Sequence, residues 1–157
     1  MRVGLIALLL VLGLLVMSIL GGGCMVYGAY KDCIRLDEEV HAKWADIDVV
    51  LKRRYDLIPN FVSTVKGYAK HESETLEKVI AARNQAQSAT TPSAAAAAAN
   101  ALSGAMRMAI NVVNERYPDL KANQNFRDLM VELEGSENRI AEMRKRYNAV
   151  VKQLNTH

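Results

Sequence analysis

Histidine, cysteine and aromatic side chains are scarce in this chain, and no sign of charge predominates. Three histidines and two cysteines leave little from which to build a metal or thiol centre. Di-iron carboxylate bundles need a Glu-x-x-His on each of two helices. Only Glu38 and His41 stand at that spacing; three residues before His71 is Tyr68, and before His157 is Leu154. A catalytic cysteine needs a base close by, whereas His41 is eight residues from Cys33, roughly 12 Å along a helix. Six tyrosines, one tryptophan and two phenylalanines provide few platforms for stacking single-stranded nucleic acid. With 20 basic and 17 acidic residues, the chain has no electrostatic footprint for a polyanion. "GGGC" at 21–24 has neither the lysine nor the strand–helix context of a phosphate loop. No catalytic residue, metal or cofactor is expected, and no nucleic acid.

What is present is a long uncharged run. Val3 to Tyr30 contains no ionisable acid or base of the Asp, Glu, Lys or Arg type, and its first part is "VGLIALLLVLGLLVMSIL". A spanning helix takes roughly 20 apolar residues; a secretory signal has an apolar region of only about 7 to 15. Residues 1–30 are therefore expected to form a retained transmembrane anchor, with 3–23 in the bilayer, and 31–157 a helical bundle. Cys24 follows "LGGG", which leaves two readings, a lipidated cysteine or a plain one; Gly21 stands where a lipidation site carries a leucine-like residue. Cys24 and Cys33 would lie roughly 13 Å apart on one helix, too far for a disulfide.

Beyond the anchor the apolar residues recur every three or four positions: Leu36, Val40, Trp44, Ile47, Leu51, Ile58, Val62, Val65, Ala69, Leu76 and Val79. This is the period of an amphipathic helix, and strand alternation is absent. Around Gly67 the pattern allows one long helix or two, the second capped by Ser73. Thr91-Pro92 reads as an N-cap followed by proline at the first helical position, so the six alanines after Ser93 open a close-packed helix with Leu102, Met106, Ala109, Val113 and Tyr117. "YPDLKANQNF" is the next turn. A last helix carries Phe126, Leu129, Leu133, Ile140, Met143, Tyr147, Val150 and Leu154.

"LKRRYDLIPN" at 51–60 joins three basic residues to a proline. Pro59 removes a donor and presses on the carbonyl of Tyr55, yet the stripe stays in phase on both sides, which argues for a continuous, kinked helix. Lys52, Arg53 and Arg54 point in three directions about 100° apart on a helix. They form a solvated face or a protein-interaction patch. Lipid is the poorer fit, because Lys52 lies 22 residues beyond Tyr30, roughly 33 Å along a helix, while surface potential fades within about 8 Å.

Four stretches resemble the LemA family of bacterial membrane proteins: "WADIDVVLKRRYDLIPNFVSTVKGYAKHESETLEKV" (44–79), "YPDLKANQNF" (117–126), "ELEGSENRI" (132–140) and "RYNAVVKQLN" (146–155). The resemblance implies one membrane anchor and an up-and-down bundle of four long helices, with a break near Gly67. Family members commonly run on into an apolar, phenylalanine-containing tail; here the sequence stops at His157. The resemblance implies no enzymatic activity and no site residues. The expectation is an all-α, non-enzymatic scaffold or interaction module at the bacterial cytoplasmic membrane. Its partners would be other membrane or envelope proteins, or further copies of itself. An uncleaved-signal arrangement places the bundle outside the cytoplasm. The alternative is a signal- or ligand-sensing domain that shifts its packing at Pro59.

Overall fold

The structure is a computed structural model. It describes the backbone of residues 2–69 and 71–156; side chains are described for residues 4, 12–18, 27, 28, 30–69 and 71–156. The elements are α1 (Arg2–Tyr68), α2 (Ser73–Gln87), α3 (Pro92–Arg116), the short α4 (Pro118–Ala122) and α5 (Gln124–Leu154). Among the described residues there is no strand, as the all-α expectation required.

The chain divides into two compact units. One comprises residues 1–42 and 147–157. Within it, Leu36 and Val150 are buried, while Leu12, Leu14, Leu15, Val16 and Met17 are all exposed. The expected membrane-spanning helix is not shown: among the described residues no helix is long and apolar enough to cross a membrane. Most of the expected span, 3–23, lies outside the residues whose side chains are described, as does Cys24.

The other unit, residues 43–146, is a helical bundle. Its inner face is the apolar stripe. Ile47, Leu51, Ile58, Phe61, Val65, Leu76, Val79, Leu102, Val113 and Leu120 are each no more than 2% exposed. The contacts fix an up-and-down order. Phe61 of α1 meets Phe126 of α5, with ring centroids 6.2 Å apart. Farther along, Arg54 meets Glu137, so α1 and α5 run antiparallel. Arg83 near the end of α2 reaches back to Tyr55 of α1, and Arg144 of α5 reaches Asn100 of α3. In α3, Ala95, Ala98, Ala99, Ala105 and Ala109 face inward. Their small side chains permit a close approach of neighbouring helices.

The ends of the helices follow local chemistry, with two departures from expectation. Thr91 caps α3 as expected: its Oγ1 accepts from the Ala94 N–H at 3.2 Å, and Pro92 occupies the first helical position. Ser73, by contrast, is not a cap. It is the first residue of α2, and Glu72 holds the capping position without a side-chain capping bond. The Glu72 carboxylate is drawn away by Tyr117 Oη at 3.1 Å and Arg116 Nη1 at 3.2 Å. The expected turn at 117–126 contains a helical turn of its own, α4, which buries Leu120 completely. Asn123 then caps α5 through Oδ1, which accepts from the Phe126 N–H, and donates from Nδ2 to Tyr68 Oη at 3.0 Å.

The helix continues through Pro59. An uninterrupted helix would pair the N–H of residue 59 with the carbonyl of residue 55, and proline has none to give. The orphaned Tyr55 carbonyl instead accepts from Nε of Arg83 at 2.8 Å. A charged donor on α2 thus replaces the missing backbone donor, and tertiary packing holds together a helix that local propensity would break.

Candidate interaction surface

The basic triplet on α1 is dispersed by helical rotation. Lys52 is exposed and pairs with Asp48, four residues back, at 2.8 Å. Such exposed i,i+4 pairs contribute about 0.3–0.5 kcal/mol. Arg53 is exposed and lines a groove between α1 and α5. Arg54 is buried, at 5% exposure. The three residues do not form one surface patch.

Arg54 belongs to a polar cluster that joins three helices. Its Nη1 lies 2.6 Å from Glu137 Oε2 on α5 and 3.1 Å from Ser103 Oγ on α3. Ser103 Oγ is also 3.0 Å from Glu137 Oε1 and 2.9 Å from the Ala99 carbonyl. The hydroxyl has one proton for these two acceptors and accepts from the guanidinium. Burial pulls the Arg54 guanidinium below its usual value, and the Glu137 carboxylate opposes the shift. Each member interrupts an apolar stripe: Arg54 lies between Leu51 and Ile58, Ser103 between Ala99 and Met106, and Glu137 between Leu133 and Ile140. A charge at a core position is the signal by which the cluster could have been found in the sequence. Its partners could not, because three separate helices supply them.

The cluster's chemistry favours holding over reacting. Among the described residues Ser103 has no imidazole as a hydrogen-bond partner, and the carboxylate beside it is already paired with a guanidinium. Among the described residues, no group of three or more His, Cys, Asp or Glu side chains could hold a metal ion. Glu38 and His41 are both exposed, and His41 lies 3.9 Å from Asp37. Cys33 is free and exposed.

Arg54, Ser103 and Glu137 themselves line an opening of about 280 Å³, and two others lie beside Lys52 and Arg53. A cavity of about 330 Å³ is lined by Trp44, Asp48, Leu51, Lys52, Tyr55 and Ala95, among others. Tyr55 is 4% exposed and its hydroxyl has no hydrogen-bond partner among the described residues; burial pushes that hydroxyl above its usual value. The second of these two is the α1–α5 groove of about 410 Å³, whose walls include Val49, Arg53, Val131, Gly135 and Arg139. Sequence periodicity passes over Val49 and Val131 because they lie off the buried stripe.

These features define an all-helical bundle protein, braced by a partly buried ionic cluster and carrying open grooves on its flanks. The chain belongs to the LemA family, whose sequence model matches residues 43–157. It is similar to the Protein LemA of Metamycoplasma hominis (strain ATCC 23114), being 24% identical over 129 residues that make up 82% of this chain and 59% of the relative. The chain thus spans about three-fifths of the length of that relative.

Proposed function

We propose that this LemA-family chain is a membrane-anchored, non-enzymatic scaffold or protein-interaction module. A single helical anchor within residues 3–23 holds residues 31–157 at the bacterial cytoplasmic membrane, with the bundle outside the cytoplasm. The observation that carries the reading is the surface of residues 12–17. Leu12, Leu14, Leu15, Val16 and Met17 are between 49% and 73% exposed. At 100° per residue these side chains point to every side of the helix. A helix that is apolar all round is stable inside a large core or in a bilayer, and among the described residues no core covers residues 12–17. The adjoining residues 3–11 and 19–23 are uncharged as well. Arg2 stands on one side of the run, Lys31 and Arg35 on the other, so charge does little to orient it.

The test is extraction of membranes with alkaline carbonate. The full chain is expected to stay in the pellet, and a chain beginning at Lys31 to be released as a folded, helical protein. Release of the full chain would remove the anchor. Orientation is tested with Cys24→Ala, which leaves Cys33 as the sole thiol. A membrane-impermeant maleimide should label it in spheroplasts without lysis; labelling only after lysis would place the bundle in the cytoplasm.

A second reading, ligand sensing, is favoured by the 330 Å³ cavity beside Tyr55. It lies next to the stretch of α1 where Arg83 compensates for Pro59, so an occupant could shift that packing. A thermal-shift screen in which no small molecule raises the melting temperature of the wild type more than that of a cavity-filling Ala86→Leu variant would count against it.

A further inference from the structure

Gly135 lies in the middle of α5 and is exposed. Its backbone is ordinary: no glycine among the described residues has a positive φ. A Cβ built on it would meet nothing within 4 Å. Among the described residues nothing requires glycine here, although alanine would be about 1 kcal/mol better in a helix. The surface over Gly135 is open, as it is over the other described glycines, and leaves room for something outside the chain.

The surroundings indicate what that is. One turn before Gly135 stands Val131, 69% exposed; across the groove on α1 stands Val49, 66% exposed. Arg53 and Arg139 complete the walls, and neither belongs to an ion pair among the described residues. Lys52 and Arg54, the neighbours of Arg53, are both paired. The groove thus has an apolar floor without a Cβ at its centre and two free guanidinium groups at its edges, against the single carboxylate of Glu132.

We propose that the α1–α5 groove over Gly135 docks an amphipathic helix of another protein, with a narrow apolar face laid on Val49, Val131 and Gly135 and carboxylates on its flanks that engage Arg53 and Arg139. The proposal rests on the scaffold reading and names the partner's chemistry. A second copy meeting this groove with its own fits poorly, because Arg53 and Arg139 of one copy would face those of the other. A lipid headgroup has no use for a missing Cβ, which serves the approach of a backbone or a closely packed side chain. Arginine at such a rim forms forked, two-point bonds to carboxylates.

The experiment uses the full chain in nanodiscs and two labelled helical peptides, each about five turns long. Both have the same leucine–alanine face, flanked by glutamates in one and by lysines in the other. The glutamate peptide is expected to bind at least about tenfold more tightly, a difference of one decade in Kd. Gly135→Leu should abolish this binding by filling the groove, and the double variant Arg53→Glu, Arg139→Glu should transfer the preference to the lysine peptide. Gly135→Ala provides a check independent of peptide design: it should raise the melting temperature while weakening binding. Equal binding of both peptides, no binding of either, or binding indifferent to Gly135→Leu would overturn the proposal. So would disulfide-linked dimers formed through cysteine placed at position 135. Flotation of the nanodisc-free protein with liposomes reports the anchor separately, so loss of docking and loss of anchoring are distinguishable.

Discussion

Arg83 Nε donates to the Tyr55 carbonyl oxygen at 2.8 Å, in the place where Pro59 has no N–H to offer. A hydrogen bond from a charged group contributes about 1.5–3 kcal/mol. Arg83→Ala is therefore expected to destabilise the bundle by an amount in that range. In a Pro59→Ala background the backbone supplies its own donor, and the same substitution should cost less. A double-mutant cycle by urea unfolding should give a coupling of about 1 kcal/mol or more. Purely additive effects would mean that the arginine is not compensating for the proline.

Glu137→Gln leaves the Arg54 guanidinium buried without its counter-charge. Breaking a buried pair costs roughly 3 to 5 kcal/mol. The Glu137 side chain is 46% exposed as a whole, but its Oε2, which meets Arg54, is buried; the loss should still fall near the bottom of that range, because glutamine at this position keeps an acceptor for the guanidinium. Replacing both members, Arg54→Met with Glu137→Leu, should recover most of the loss, because the desolvation of the charge disappears with the pair. Chemical denaturation of the three variants checks this. A double variant less stable than Glu137→Gln would show that the pair contributes net stability.

Tyr55 buries a hydroxyl that has no partner among the described residues. Tyr55→Phe removes a desolvated polar group and should be neutral or stabilising by about 1 kcal/mol at neutral pH. The same burial holds the phenol above its usual value in the folded state, Arg54 and Arg144 pulling the other way. In the unfolded chain the phenol ionises first, so stability is fully present below about pH 10 and falls as pH rises towards the folded value. The alkaline loss should be smaller in Tyr55→Phe. Tyr117, also raised by burial and by its bond to Glu72, contributes in the same direction, so the loss should shrink without vanishing. Melting curves between neutral and strongly alkaline pH test both statements; an alkaline limb unchanged in Tyr55→Phe would contradict the second.

Leu51 is 2% exposed on the inner stripe of α1. Leu51→Ala is expected to cost about 2 to 5 kcal/mol. By contrast Thr91→Ala, which removes only the capping bond to the Ala94 N–H, should cost about 1 kcal/mol. An unfolding midpoint for Leu51→Ala no lower than that for Thr91→Ala would remove α1 from the core.

Some of this protein was determined by the sequence alone. Period and capping are local properties, and they were enough for the inward-facing residues Ile47, Leu51, Ile58, Val65, Leu76, Val79, Leu102, Val113 and Ile140 and for the start of α3 at Thr91-Pro92. The resemblance to LemA was legible in stretches that the family match covers. Other features depended on groups distant in the chain. Ser73 has the chemistry of a cap, but a cap is defined by where the backbone turns, and Glu72 takes that position with its carboxylate drawn to Tyr117. Arg54 looked like one of three surface cations, because a triplet in sequence carries no information about which member meets a carboxylate from a helix 83 residues later (54 to 137). The continuity of α1 through Pro59 was suggested by the phase of the stripe, yet the donor that makes it affordable to the backbone, Arg83, sits on another helix. Hydrophobic period selects which face turns inward because burial is non-directional and sums over many residues. Hydrogen bonds and ion pairs require specific atoms within about 3 Å of each other, and only the packing of the helices against one another decides which atoms those are.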